Sequence, residues 1–238
     1  MNKKLAVFLT GGDPDIPTTE QLIRAANESG ADIIEIGIPF SDPIAEGPVI
    51  QAASERALKN KTTLDDLFRM VSRLDVQATL FFMGYYNTVL AYGTERFNIR
   101  CRETGIKGVI LPDLPFEESG EFNGDLISMV TPNSFERARM IAQNARGEFI
   151  YCVSSLGVTG MRENLDTQIG EVIRQIKTVT DIPCFIGFGI SSPEQAAEMA
   201  QISDGVIIGS KIVSLAHEKG VEAVKSFIKE IKLCINQF

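Results

Sequence analysis

The sequence predicts an α/β fold, a single (β/α)8 TIM barrel spanning residues 1–238, on three observations. Eight short apolar runs recur along the chain with helical segments between them. Most of these runs are near-continuously apolar rather than alternating, as parallel strands covered on both faces must be. The 238 residues match the about 250 that such a barrel takes, and no Pro/Ser-rich linker or composition break divides them. A doubly wound open sheet is the alternative arrangement of the same elements.

The runs, in order, are LAVFLT (5–10), DIIEIGI (32–38), ATLFFMGY (78–85), GVILPDLP (108–115), LISMVTP (126–132), FIYCVSS (149–155), PCFIGFGI (183–190) and GVIIGS (205–210). Helix starts fall between them. Thr18 with Gln21 and Ser192 with Gln195 have capping-box spacing, and Pro193 takes a first helical position. Leu64, Leu67, Phe68 and Val71 share one helical face, as do Ile173 and Ile176. Between Pro115 and Leu126 the link EESGEFNGD allows one or two turns only, which makes the fourth crossover the thinnest.

The second run contains the first chemical anomaly. In EIGIPFSDPIAEGP (35–48), Glu35 interrupts an apolar strand, and a loop braced by Pro39, Pro43 and Pro48 brings Asp42 and Glu46 after it. Strand alternation puts Ile34, Ile36 and Ile38 on one face and Glu35 and Gly37 on the other. With the isoleucines toward the helices, Glu35 points into the barrel near its upper rim, with Gly37 leaving space above it. Desolvation there raises a carboxyl pKa toward the range useful for proton transfer. Glu46, reaching back over the same mouth, supplies a second carboxylate, and two such groups suit a reaction that moves one proton on and another off. An internal ion pair for Glu35 and simple solvation for Asp42 are the competing structural roles.

A second set lies in the last third. GVTG (157–160), GFGIS (187–191) and GS (209–210) each follow a predicted strand. Glycines let backbone amides approach a phosphate, and Ser192-Pro193 and Ser210-Lys211 open helices whose N-termini are available. A phosphate site after the last strands recurs in barrels, and the sequence has no P-loop. Tyr151 on the sixth run and Tyr85 and Tyr86 at the end of the third read as packing residues, and Phe8 as a wall of an apolar pocket.

Composition narrows the partners. A net charge of −8 and a pI near 4.9 argue against nucleic acid and anionic membranes, while leaving a small phosphorylated ligand open. Cys101, Cys152, Cys184 and Cys234 form no C-x-x-C pair, so free thiols in a reducing cytosol are expected and a metal site is not. The N-terminal stretch MNKKLAVFLTGGDP has no signal-peptide core, and a cytoplasmic location is the expectation. The single histidine, His217, reads as an exposed helix-terminal residue, which leaves acid–base work to carboxylates, Tyr or Lys.

Taken together, EIGIPFSDPIAEGP, FMGYYNTVLAYG (82–93), LPDLPFEES (111–119), SLGVTG (155–160), GFGISSPEQ (187–195) and DGVIIGSKIV (204–213) resemble the tryptophan synthase alpha subunit family, collinearly over about 5–215. The resemblance implies a barrel that cleaves indole-3-glycerol phosphate to indole and glyceraldehyde 3-phosphate with no cofactor on this subunit. Its implied partner is a pyridoxal-phosphate beta subunit in an α2β2 complex, which joins the indole to serine. By the same resemblance Glu35 is the proton donor and acceptor, and Glu46 stands where the family carries an aspartate facing the indole nitrogen. Tyr151 falls at a substrate-side tyrosine, and Gly160, Gly187, Phe188, Gly189, Gly209 and Ser210 fall on phosphate-binding positions. Ser155 occupies a position where the family carries arginine. A catalytically weakened subunit that only activates the beta subunit is the alternative, and a different phosphate-binding barrel enzyme is a third reading.

Overall fold

The structure, a computed structural model, describes backbone and side chains of residues 2–154, 168–187 and 189–237, and the backbone alone of 162–167. Strands β1 (Lys4–Thr10), β2 (Ile33–Gly37), β3 (Thr79–Met83), β4 (Val109–Ile110), β5 (Ser128–Val130), β6 (Ile150–Val153), β7 (Cys184–Gly187) and β8 (Gly205–Ile208) form one sheet. Its order is β4-β3-β2-β1-β8-β7-β6-β5, with every pairing parallel. The two end strands meet through a parallel bridge between Val109 and Leu126. There Ile127 N donates to Val109 O at 2.9 Å and Val109 N to Asp125 O at 2.8 Å. That seam turns an open order into a barrel and decides against the doubly wound alternative.

Side-chain alternation sorts most apolar strand residues into two cores, while Phe8 packs with Ala53 and Val213 in a third, smaller cluster. Leu5, Val7, Leu9, Ile34, Ile36, Ile38, Phe82, Cys152, Cys184, Ile186 and Val206 pack outward against the helices. Ala6, Ile33, Phe81, Ile110, Ile127, Phe149, Tyr151, Phe185 and Ile207 fill the interior. Phe149 sits between Phe81 and Phe185, with ring centroids 5.5 and 4.8 Å away, and these rings form a dry floor beneath the strand ends.

The surrounding helices are α1 (Ile16–Glu28), α2 (Pro48–Lys59), α3 (Leu64–Val71), α4 (Tyr86–Tyr92), α5 (Thr94–Thr104), α6 (Ala138–Asn144), α7 (Arg162–Lys177), α8 (Pro193–Ile202), α9 (Ser210–Lys219) and α10 (Val221–Cys234). The expected face of α3 is buried, and Ile173 and Ile176 of α7 are buried as well. After β4, the crossover is only a 3-10 turn over Phe116–Glu121, as the short link required. His217 is exposed in the last turn of α9, and three of the four free cysteines are buried, with Cys234 half-buried. Among the described residues no helix is long and apolar enough to cross a membrane.

Several local expectations change. The cap of α1 is Asp15, whose carboxylate accepts from Thr18 N at 2.7 Å, in place of the expected Thr18. Asp15 wins because Pro17 takes an early helical position, where a missing amide costs nothing. Ser192 does cap α8, accepting from Gln195 N at 3.3 Å, but the Gln195 side chain answers Ser191 N at 2.8 Å, so the box closes one residue early. Strands β4 and β5 are much shorter than the runs that announced them. Pro112 and Pro115, lacking amides, cannot extend the β4 ladder.

Candidate active site

At the C-terminal ends of the strands lies a cavity of about 400 Å³ lined by Phe8, Glu35, Ala45, Glu46, Gly47, Ile50, Met83, Tyr151, Gly189, Ile190, Ser191, Ile207, Gly209, Ser210, Lys211 and Ser214. Of the residues singled out in the sequence, Phe8, Glu35, Glu46, Tyr151, Gly189, Gly209 and Ser210 come together here. Gly160, Phe188 and Ser155 lie outside the described residues.

Glu35 owes its setting to β2. It pairs in register with Phe8 of β1 and Phe81 of β3, so apolar strands flank it on both sides. The residue is fully buried, and neither carboxyl oxygen has a hydrogen-bond partner among the described residues. Among the described residues no ion pair closes on it, which speaks against the structural reading. Desolvation alone pushes its pKa from 4.5 up to about 8, so at neutral pH it is a protonated acid waiting in an apolar pocket.

The expected free space above Glu35 is filled. A Cβ on Gly37 would lie 2.5 Å from Phe8 Cζ, so the missing side chain admits the Phe8 ring into the mouth. Gly187 works in the same way and not as a lining residue. A Cβ there would lie 2.5 Å from the Tyr151 hydroxyl, so this glycine makes room for Tyr151. Burial, and then the charge that Glu35 carries once it ionises at higher pH, push the Tyr151 phenol well above its ordinary pKa, so it stays neutral.

Glu46 is held by a residue that the sequence offered only as packing. The Tyr85 hydroxyl donates to the Glu46 carboxylate and accepts from Ile44 N at 2.8 Å and Ala45 N at 2.9 Å. Its ring stacks on Phe40, at a centroid distance of 4.8 Å. Tyr85 is thus the peg on which the acid loop hangs. Burial raises the pKa of Glu46, while the Tyr85 hydrogen bond opposes that rise by stabilising the carboxylate. The Tyr85 phenol itself is raised by burial and by Glu46, so it remains the donor. The nearby Asp113 accepts from Tyr86 N at 2.8 Å and adds a repulsive charge toward Glu46.

On the β7–β8 side the cavity ends in backbone. Gly189 has φ +78°, the left-handed region that favours glycine, and starts the turn into Ser191. Gly209 caps α9 without a side chain, so the first turn of that helix, which lines the cavity, has no side-chain acceptor from its cap. Ile50, Met83, Ile207 and Ser214 were not anticipated, and Lys211 stands out in the sequence only beside Ser210 as a helix opening. Met83 and Ile207 follow from alternation, as inward positions of β3 and β8, but Ile50 is brought in by α2. Among the described residues no group of three His, Cys, Asp or Glu is arranged to hold a metal ion.

Two carboxyl groups over an apolar slot at the strand ends of a (β/α)8 barrel, with a helix N-terminus opposite, form an arrangement suited to acid–base chemistry on an anionic, partly apolar substrate. Comparison with known proteins narrows the class. The family profile described as "Tryptophan synthase alpha chain" matches residues 1–237. The tryptophan synthase alpha chain of Alkaliphilus metalliredigens is 46% identical over 243 residues, covering 96% of this chain and 91% of that one. That of Geobacter sulfurreducens is 45% identical, covering 98% and 93%. Among solved structures, the Campylobacter jejuni tryptophan synthase subunit alpha superposes with TM-score 0.88 at 31% identity, covering 97% of this chain and 96% of that one. A Mycobacterium tuberculosis tryptophan synthase structure gives 0.86 at 35% identity, covering 100% and 94%. The chain belongs to the tryptophan synthase alpha chain family.

Proposed function

We infer that the protein cleaves indole-3-glycerol phosphate to indole and glyceraldehyde 3-phosphate in this cavity, and delivers the indole to a tryptophan synthase beta subunit for L-tryptophan synthesis. It is a lyase. The single observation that carries the assignment of roles is Glu35, fully buried and without a hydrogen-bond partner among the described residues, in the same cavity as Glu46.

The reaction reverses an aldol addition. Glu35, protonated at neutral pH, gives its proton to C3 of the indole ring while Glu46 takes the ring N–H proton. The product is a 3H-indole whose C3 still carries the glycerol phosphate chain. Glu35, now a carboxylate in a site that disfavours the charge, takes the proton of the adjacent hydroxyl. As that C–O becomes a carbonyl, the bond to C3 breaks and its electrons restore the indole ring. Glu46 returns its proton to nitrogen, and both carboxyls end as they began. Desolvation keeps Glu35 protonated for the first step; burial also raises the pKa of Glu46, and the Tyr85 donor acts against that rise in favour of the carboxylate.

Phe8, Ile50, Met83 and Ile207 supply an apolar slot for the ring, and Tyr151 a neutral wall beside Glu35. Gly189, Gly209 and Ser210 bind the phosphate through backbone amides and one hydroxyl. Glu46 is one methylene longer than the family aspartate, and its carboxylate is held by the Tyr85 hydroxyl. All chemistry on this subunit is carried by these side chains without an organic cofactor.

Indole release from indole-3-glycerol phosphate, measured with and without the beta subunit, tests this reading. Activity that rises with the partner and falls by about 100-fold or more in Glu35→Gln is expected. Activity unchanged in Glu35→Gln would remove it as the acid–base group. Wild-type protein that releases no indole yet stimulates the beta subunit would instead make the barrel a regulatory subunit.

A further inference from the structure

Lys211 stands in the cavity at a position where a helix gains nothing from it. It is the second residue of α9, half-buried, and the one cation lining the described part of the cavity. Near a helix N-terminus the aligned peptide dipoles favour anions, so an ammonium group there works against the helix. The first turn of α9 contains no acidic residue, and Gly209 offers no side-chain cap. Among the described residues Lys211 makes no ion pair or hydrogen bond. The neighbouring α8 is arranged in the opposite way, with Glu194 in its first turn and Ser192 as its cap. The same cavity holds the fully buried Glu35 on its β2 side, without a hydrogen-bond partner among the described residues, so the described lining has acids at one end and one cation at the other.

We propose that Lys211 is a substrate-binding residue that completes the phosphate site by pairing its ammonium group with the phosphate dianion, alongside the α9 amides. This deepens the functional reading above and rests on it. The amides supply direction and the lysine supplies charge: an anion between them gains a charge-assisted hydrogen bond and also relieves the mismatch between Lys211 and the helix dipole. The polarity of the cavity then sets the substrate's orientation, with phosphate at α9 and the indole nitrogen toward Glu46. Lys211 acts on binding and touches no reacting atom.

The test uses the full chain, in complex with its beta subunit for turnover and alone for binding. Glycerol 3-phosphate serves as the probe in calorimetric titrations, beside KM and kcat for indole-3-glycerol phosphate. Lys211→Gln is expected to weaken glycerol 3-phosphate binding and raise KM by about tenfold each, with the loss falling on KM far more than on kcat. Lys211→Arg, which keeps the charge, is expected to recover most of both. Thermal stability of ligand-free Lys211→Gln should equal or exceed wild type, which separates a binding role from a structural one. A Lys211→Gln variant that matches wild type in KM and in probe binding overturns the assignment while leaving the lyase reading intact. Wild-type protein that neither binds the probe nor cleaves the substrate overturns both.

Discussion

Glu46 and Tyr85 lie 39 residues apart and meet only because β2 and β3 are neighbours in the barrel. The sequence reveals Glu46, because an acid in a proline-braced loop after a glutamate-bearing strand stands out. It does not reveal Tyr85, because a tyrosine at a strand end has many packing uses, and nothing local records what its hydroxyl reaches. In the fold that hydroxyl serves two loop amides and one carboxylate. Tyr85→Phe keeps the ring on Phe40 and deletes all three bonds. The buried donors and the carboxylate then lose their partner, at a cost of about 1–3 kcal/mol in loop order. Displacing a catalytic carboxylate by about 1 Å costs on the order of 100-fold. The expected result is a fall in kcat/KM of about 10- to 100-fold. The Glu46 limb of the pH–rate profile should move to higher pH, since the bond that lowers its pKa is gone. A steady-state pH profile of indole release checks both, and an unmoved limb would detach Tyr85 from Glu46.

The strand periods are legible for a physical reason: a parallel strand covered on both faces leaves a nearly continuous apolar run, and alternation then sorts Ile34, Ile36 and Ile38 outward from Glu35. Element ends are less legible. Pro112 and Pro115 sit inside an apolar run but stop β4 at Ile110, and Asp15 outcompetes Thr18 for the α1 cap because of Pro17. Glycines are the third case. Gly187 reads as a phosphate-site glycine from its GFGIS context, yet across the pair with β6 it is the clearance for Tyr151. The two roles predict different defects. If Gly187 clears space for Tyr151, Gly187→Ala must push the ring toward the substrate slot, because a Cβ at 2.5 Å from the hydroxyl cannot be tolerated. Strain of about 1–3 kcal/mol in stability is expected, together with a raised KM for indole-3-glycerol phosphate. Binding of glycerol 3-phosphate, which does not reach the ring slot, should be nearly unchanged. A loss confined to glycerol 3-phosphate would return Gly187 to the phosphate site.

At the scale of the whole molecule, a carboxyl kept protonated in the interior makes the stability of the barrel depend on pH. Glu35 is raised from 4.5 to about 8 in the folded state, so between those values the folded chain holds a proton that the unfolded chain has released. With more protons bound in the native state, stability falls as pH rises through this window, and the loss is complete above about 8. At about 1.4 kcal/mol per pKa unit, the penalty is on the order of 3 kcal/mol at neutral pH and somewhat more above pH 8. Below about pH 4.5 it vanishes, because both states are protonated. Glu35→Gln cannot ionise. The difference in unfolding free energy between variant and wild type should therefore grow in the variant's favour from pH 4.5 to pH 8, whatever constant offset the buried amide brings. Denaturant unfolding at several pH values measures this directly. A flat difference across that window would mean that Glu35 is ionised in the folded state, and the proton it is assigned to deliver to C3 would then have to come from elsewhere. A widening difference in a variant that no longer releases indole would tie the instability to the catalytic acid itself, since the desolvation that costs the fold stability is what keeps that proton in place.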